Sequence, residues 1–413
     1  MRKVFVLMLI SLFVLSSFIG IFSSASASEL IEDSWATKAP LPHARAGLGV
    51  VAVDGKIYAI GGSTSNNVDV TVNDGVDLYV DYNECYDPVS DTWVTLTSMP
   101  APRAGFAIAA YEGKIYCVGG VAYDKSFGGG SPCGIFEVYD IATDSWSTMD
   151  PAPVSGSGIQ GHVVDGKIFV IAFGAVYMYN PRTAEWTRKS DASTNLSMPT
   201  SSVVADKIVV FGDITIKSGL SNSPPTIQGT EMILKAIIYD PTTDVWRESA
   251  TETTLALVYS GAVATTGVYA PQRVYHIDIM GTNKVYDIVT DTWDRGISMP
   301  SSRQNFGVAV VDDILYVIGG YGKLTNYDDR NNYGVFSLNE RYVPIGYKDA
   351  IPAHEPSNST TSPVTTESTS PTTSEPTEVS EPTVTYIIAA VLAVTIVTFA
   401  TVLFFYFKKQ KKR

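Results

Sequence analysis

A recurring segment fixes what this chain can become. The six tryptophans, Trp35, Trp93, Trp146, Trp186, Trp246 and Trp293, stand 58, 53, 40, 60 and 47 residues apart, a loose period near 50. The text around them repeats. Tyr86-Asp87-Pro88 leads to Asp91-Thr92-Trp93, and Tyr139-Asp140 to Asp144-Ser145-Trp146. Tyr239-Asp240-Pro241 leads to Asp244-Val245-Trp246, and Tyr286-Asp287 to Asp291-Thr292-Trp293. The third copy, Tyr179-Asn180-Pro181 before Glu185-Trp186, keeps the outline. After a Trp come Pro40-Leu41-Pro42, Met99-Pro100 or Met299-Pro300, then Arg45, Arg103 or Arg303. Each Arg precedes an apolar stretch that ends in Gly61-Gly62, Gly119-Gly120 or Gly319-Gly320. Repeats of this size bury their apolar faces against one another, so the fold is an array of similar units.

Each unit parses into four short strands. The innermost, such as 105–110, is apolar throughout and so is packed on both faces. A turn at Asp54-Gly55, Glu112-Gly113 or Asp165-Gly166 joins it to the second strand as a hairpin. The second strand ends at the double glycine, the third in Tyr-Asp-Pro, and the fourth holds the Trp. Five complete units run over 44–96, 102–149, 156–189, 199–249 and 255–296. A sixth starts at Arg303 and reaches Tyr342-Val343-Pro344 with no Trp after it. Trp35, conversely, precedes the first unit without strands of its own. Ser34-Trp35-Ala36-Thr37 is therefore expected to supply the outer strand of the sixth unit.

Double glycine, Tyr-Asp before Trp, and Pro-Met-Pro before Arg together resemble the Kelch repeat, over roughly 33–347. The resemblance implies an all-β, six-bladed Kelch β-propeller, here closed by an N-terminal strand that leaves no open edge. Three units depart from the pattern. The third has Ala172-Phe173-Gly174 in place of the double glycine, the fourth Phe211-Gly212-Asp213, and the fifth His276-Ile277-Asp278 with no Arg.

The chain ends predict where the body works. Arg2-Lys3, an apolar run from Val4 to Ile21 and Ala25-Ser26-Ala27 read as a signal peptide over 1–27. Thr385 to Phe407 is 23 residues without a charge, about 35 Å as a helix, long enough to cross a bilayer. Tyr386 and Tyr406 bracket it as interfacial aromatics, and a basic tail follows over 408–413. Between body and span, 348–384 forms a stalk. Of its 30 residues from 355 to 384, 21 are Ser, Thr or Pro, too little apolar surface to fold. The expectation is a propeller over 28–347 held outside the plasma membrane by one span, with the C-terminus cytoplasmic. Residues 28–384 carry 22 basic and 42 acidic side chains, which argues against a nucleic-acid partner.

Four connections between second and third strands are longer than a hairpin needs: 63–83, 121–135, 213–235 and 321–339. They gather aromatics and polar groups, and the candidate ligand-binding residues are Tyr79, Tyr82, Tyr123, Phe127, Tyr321, Tyr327, Asp328, Arg330 and Tyr333. Tyrosines beside Asn and Asp suit an extracellular protein or glycan, offering flat apolar area with polar tips. The repeated Arg, Trp and Tyr-Asp residues are expected to hold the units together. No cofactor is expected. Asn73-Asp74-Gly75 and Asp328-Asp329 do not match a calcium loop. His43, His162 and His276 do not form the copper set of galactose-oxidase-like Kelch enzymes. No nucleophile elbow, P-loop or zinc-protease motif occurs. Cys117 reads as a small core residue of an inner strand. Cys85 and Cys133 can pair only if their Cα atoms come within about 7 Å. A binding and adhesion module is thus the first expectation. A surface carbohydrate-active enzyme, resembling sialic-acid mutarotases, is the alternative.

Overall fold

The structure, a computed structural model, describes residues 30–64, 78–126, 129–192, 196, 199–212, 214–218, 230–254, 261–324 and 333–348. All lie in the first of two compact units, Met1–Ile351. The expected signal peptide, most of the stalk and the expected span at 385–407 lie outside the described residues. Among the described residues there are strands and turns and no helix, and no helix is long and apolar enough to cross a membrane.

The strands build six antiparallel sheets that follow the repeats. The first is Gly49–Val53, Lys56–Ile60, Asn83–Asp87 and Thr92–Thr95; the second is Ala107–Tyr111, Lys114–Val118, Phe136–Asp140 and Ser145–Thr148. The third is Gln160–Val164, Lys167–Ala172, Ala175–Asn180 and Glu185–Arg188. The fourth is Thr200–Val204, Lys207–Phe211, Thr230–Asp240 and Val245–Thr254, with Ile214–Ser218 added beside its third strand. The fifth is Gly261–Ala264, Val274–Ile277, Asn283–Asp287 and Thr292–Gly296. The sixth is Gly307–Val311, Ile314–Ile318, Asn339–Val343 and, outermost, Ser34–Thr37. The innermost strands touch in cyclic order, first to sixth and back to the first. The architecture is that of a β-propeller.

Local chemistry explains the strand ends. The hairpin turns Asp54-Gly55, Glu112-Gly113, Asp165-Gly166, Ala205-Asp206 and Asp312-Asp313 all have φ between 48° and 73°, as the tightest hairpins require. The Tyr-Asp text closes the turn between third and fourth strands. In the first sheet, Asp87 Oδ1 accepts the Val89 N–H at 2.9 Å, and the Tyr86 hydroxyl donates to Asp91 Oδ1 at 2.6 Å. Asp91 also accepts the Ala39 N–H at 2.8 Å, and Trp93 Nε1 donates to the Ala39 carbonyl at 2.9 Å. One corner therefore finishes its own sheet and fastens it to the one before. The same Tyr–Asp bond recurs at Tyr139–Asp144, Tyr239–Asp244 and Tyr286–Asp291.

The sixth sheet uses residues from both ends of the body. Ser34, Trp35, Ala36 and Thr37 pair with Val343, Tyr342, Arg341 and Glu340. The Tyr342 hydroxyl donates to Asp33 Oδ1 at 2.7 Å, which also accepts the Ile297 N–H at 2.8 Å, while Trp35 Nε1 donates to the Ile297 carbonyl. Asp33 thus plays for Tyr342 the part that Asp91 plays for Tyr86, across 309 residues of chain. The apolar core lies in wedges between sheets, as where Ile57 and Tyr86 pack on Ala309 and Tyr316.

One expectation changes, and the cysteines find their places. The long connections at 121–135, 213–235 and 321–339 are not plain loops. Val121–Asp124 pairs with Gly129–Pro132, Ile214–Ser218 with the start of Thr230–Asp240, and Tyr321–Lys323 with Tyr333–Val335. Strand pairing satisfies their backbone groups beyond the sheet edge. Cys117 lies in a second strand and is fully buried, the small core residue that the sequence suggested. Cys85 and Cys133 are free thiols, each occupied locally: Cys85 lies against Tyr58, and Cys133 Sγ sits 3.5 Å from the Gly120 carbonyl.

Candidate functional site

Three sheets, the sixth, first and second, share a construction at one end. Arg45 is wholly buried. Its Nε donates to the Gly61 carbonyl and its Nη2 to the Ala59 carbonyl, both at 2.8 Å. Its Nη1 donates to Glu84 Oε2 at 2.5 Å and to the His43 carbonyl. Arg103 repeats this with Gly119, Cys117, Glu137 and Ala101, and Arg303 with Gly319, Val317, Glu340 and Ser301. Every donor used satisfies a buried or part-buried oxygen, the condition under which a buried ion pair is tolerated. Burial pulls the Arg45 and Arg303 pKa values down, and Glu84 and Glu340 oppose it.

The clamp explains the double glycine. Gly61 and Gly62 have φ of 58° and 109°, and a Cβ on Gly61 would stand 2.7 Å from the Arg103 carbonyl of the next sheet. The Gly62 N–H donates to that same carbonyl at 2.9 Å, and the Gly320 N–H donates to the Arg45 carbonyl. The glycines thus let the sixth, first and second sheets meet backbone to backbone where the connections leave.

Those connections carry the described candidate residues. Tyr82 is half-buried and stacks on the His43 ring at 4.2 Å between centroids, with the Arg45 guanidinium 5.6 Å from the Tyr82 ring. Tyr321 and Tyr333 stack on each other at 5.9 Å in the sixth sheet's hairpin, with Tyr333 exposed. Tyr123 is half-buried in the second sheet's hairpin. Tyr79 is buried and not displayed: it bridges to Ser63, and a Cβ on Gly130 would lie 2.1 Å from its hydroxyl oxygen. It locks the first connection to the second sheet's hairpin. Phe127, Tyr327, Asp328 and Arg330 lie outside the described residues.

His43, which the sequence shows only as a histidine outside the copper set, gains a partner here. Its Nδ1 lies 2.6 Å from Glu84 Oε1, and its side chain is 48% exposed while Glu84 is fully buried. Glu84 thus joins the hidden Arg45 to a histidine on the rim. The matching positions are Ala101 in the second sheet and Ser301 in the sixth, where the Ser301 hydroxyl donates to Glu340 Oε1 at 3.1 Å. The signal in the sequence is the odd residue of three, two places before each Arg. The other histidines stand elsewhere: His162 contacts Ser201, and His276 is buried beside Phe211. Among the described residues no group of three or more His, Cys, Asp or Glu could hold a metal ion.

Comparison with known proteins points the same way. A family model, the Kelch motif, matches residues 44–100 and 102–153, the first two sheets. Kelch-like protein 15 of Danio rerio is 27% identical over 252 residues, 59% of this chain and 34% of that protein. Kelch repeat and BTB domain-containing protein 2 of Homo sapiens is 28% identical over 167 residues, 40% of this chain and 26% of that protein. Kelch-like protein 7 of Rattus norvegicus is 32% identical over 209 residues, 39% of this chain and 35% of that protein. The chain thus spans about a third or less of the length of these curated relatives.

Proposed function

The chain is a Kelch-repeat protein, and from that premise we propose that its body is a six-bladed propeller working as a surface-displayed binding module. Kelch repeats suit protein binding. The ligand, a protein or a glycan, docks on the rim of the sixth, first and second sheets. One observation carries this reading: the clamped ends of those sheets present Tyr82 on His43 and Tyr321 on Tyr333, flat rings with polar edges. The buried Arg–Glu pairs beneath keep that rim in one shape. Pre-organisation of this kind lowers the entropy lost on docking.

Display outside the plasma membrane is part of the proposal and rests on the sequence. The apolar segment 385–407 anchors the chain, the Ser/Thr/Pro-rich stalk spaces the body from the bilayer, and 1–27 directs export. Protease added to intact cells is expected to release the propeller and leave a short membrane-bound remnant. Protection of the whole chain would refute this orientation.

The binding test uses the full chain in detergent on glycan arrays and on whole cells. Saturable binding is expected, and Tyr82→Ala or Tyr333→Ala should weaken it at least tenfold without changing the melting temperature by more than a few degrees. Binding that survives both substitutions would move the site off this rim. A second reading has its own observation. The half-exposed His43, held by Glu84, has the geometry of an oriented general base. If free sugars turn over in an NMR assay and His43→Gln abolishes turnover, the surface carbohydrate-enzyme reading takes precedence.

A further inference from the structure

The six innermost strands enclose a channel of about 390 Å³. Its wall is uneven. The first, second, fifth and sixth sheets contribute only Gly, Ala, Val, Ile, Leu and Phe to the lining. The adjacent third and fourth sheets add, beside Gly, Ile and Val, the polar Gln160, His162, Thr200, Ser201 and Ser202. His162 Nε2 lies 2.6 Å from Ser201 Oγ and ties the two polar strands together. The Thr200 and Ser202 hydroxyls make no hydrogen bond to protein among the described residues, although both residues are more than nine-tenths buried. Burial holds the His162 pKa at about 4, so the imidazole is neutral at physiological pH. No Asp, Glu, Lys or Arg lines the space.

A water-filled channel needs no such gathering of polar side chains on two sheets. The other four sheets line the same space with apolar residues, so strand packing does not require the hydroxyls, amide and imidazole of the third and fourth. An uncharged space with hydroxyl, amide and imidazole side chains gathered on one side fits a ring whose edge bears hydroxyls. The volume falls within the range of small-molecule sites. We propose that the channel is a binding site for a neutral monosaccharide-sized polyol, held by Gln160, Thr200, Ser202 and the His162–Ser201 pair. This site is separate from the rim and goes beyond the binding role assigned to it.

The chain has four histidines, so its imidazole NMR spectrum is simple enough to follow site by site. Full-length protein in detergent is titrated with glucose, galactose, mannose and N-acetylglucosamine while imidazole shifts and saturation transfer to the sugar are read. At least one sugar is expected to saturate with a shift of the His162 signal. That signal is identified by its loss in His162→Gln and by its failure to titrate above pH 5. Thr200→Val and Ser202→Val, which keep side-chain shape, should each weaken binding at least tenfold. Tyr82→Ala should leave it unchanged, so failure of the rim reading and failure of this one are told apart. If no sugar moves the His162 signal in the unmodified protein, or if sugar binding is lost in Tyr82→Ala instead, the proposal is overturned.

Discussion

The sixth, first and second sheets differ from the third, fourth and fifth in one buried feature. In the first group an Arg–Glu pair holds the end of the second strand: Arg45–Glu84, Arg103–Glu137 and Arg303–Glu340. In the fourth sheet the corresponding positions are Leu196 and Ile237, both buried and in one apolar cluster. In the third they are Gly156 and Tyr177, and in the fifth Lys284 occupies the carboxylate's place. All six sheets nevertheless form the same strand ladder. The ion pair is therefore not what makes a blade. Apolar packing between sheets suffices, as expected if a buried pair contributes little net free energy over an apolar replacement. What the clamped group gains is a fixed double-glycine end, and there the aromatic rim emerges.

The comparison can be broken most violently at the closure. Deleting residues 28–40 removes the sixth sheet's outer strand, Asp33 and Trp35, and exposes an edge. The body should lose its cooperative melting transition altogether, as read by circular dichroism. A variant that still melts cooperatively near the parental temperature would show that the ring does not depend on this strand.

The next largest effect separates breaking a clamp from replacing it. Glu137→Leu leaves the Arg103 guanidinium buried without its carboxylate and should cost about 3–5 kcal/mol in urea unfolding. Adding Arg103→Leu, which copies the fourth sheet's apolar pair, should restore most of that loss. If the double variant is as unstable as the single one, the two groups of sheets are not equivalent solutions.

Lys284 sharpens the contrast further. It is buried, its Nζ has no hydrogen-bond partner, and burial lowers its pKa from 10.5 to about 8, with Asp278 opposing the shift. A lysine whose folded pKa is depressed is carried as a cation below pH 8 at the expense of the folded state. The unfolded chain binds more protons between pH 8 and 10.5, so stability should rise over that window, by on the order of 2 kcal/mol. Lys284→Met should flatten the rise and stabilise the protein at pH 7. Urea midpoints at pH 7, 8.5 and 10 measure both. A flat profile in the parent would contradict the assignment.

The smallest effect compares two corners. Tyr286 donates to the Asp291 carboxylate at 2.8 Å, so Tyr286→Phe should cost about 1.5–3 kcal/mol. In the third sheet Ala184 stands where that Asp would be, with φ of 57°. Tyr179→Phe should accordingly change stability by less than about 0.5 kcal/mol. Equal losses at the two sites would show that the phenols, not their carboxylates, carry the corner.

Much of this was legible in the sequence because the repeat marks residues that act through short-range geometry. Each Trp and Tyr-Asp pair announces a corner, and the stray Trp35 announces its pairing with the far end of the body. The clamp was less legible. Arg45, Arg103 and Arg303 stand out, but Glu84, Glu137 and Glu340 lie 34 to 39 residues away in strands where alternation disguises them. His43 needed Glu84 to acquire a meaning. Tyr79 looks like a recognition residue in sequence because exposure is a tertiary property, and only the second sheet's hairpin buries it. The hairpins at 121–132 and 321–335 were hidden for a related reason: glycine-rich and tyrosine-rich segments pair as readily as they loop.

Hydrogen exchange on the full chain, resolved by peptide mass spectrometry, tests the closure most directly. The account predicts that amides of Ser34–Thr37 and Asn339–Val343 exchange together and as slowly as those of Phe136–Asp140. Exchange of Ser34–Thr37 within seconds, while the other third strands stay protected, would contradict a ring closed by its first strand.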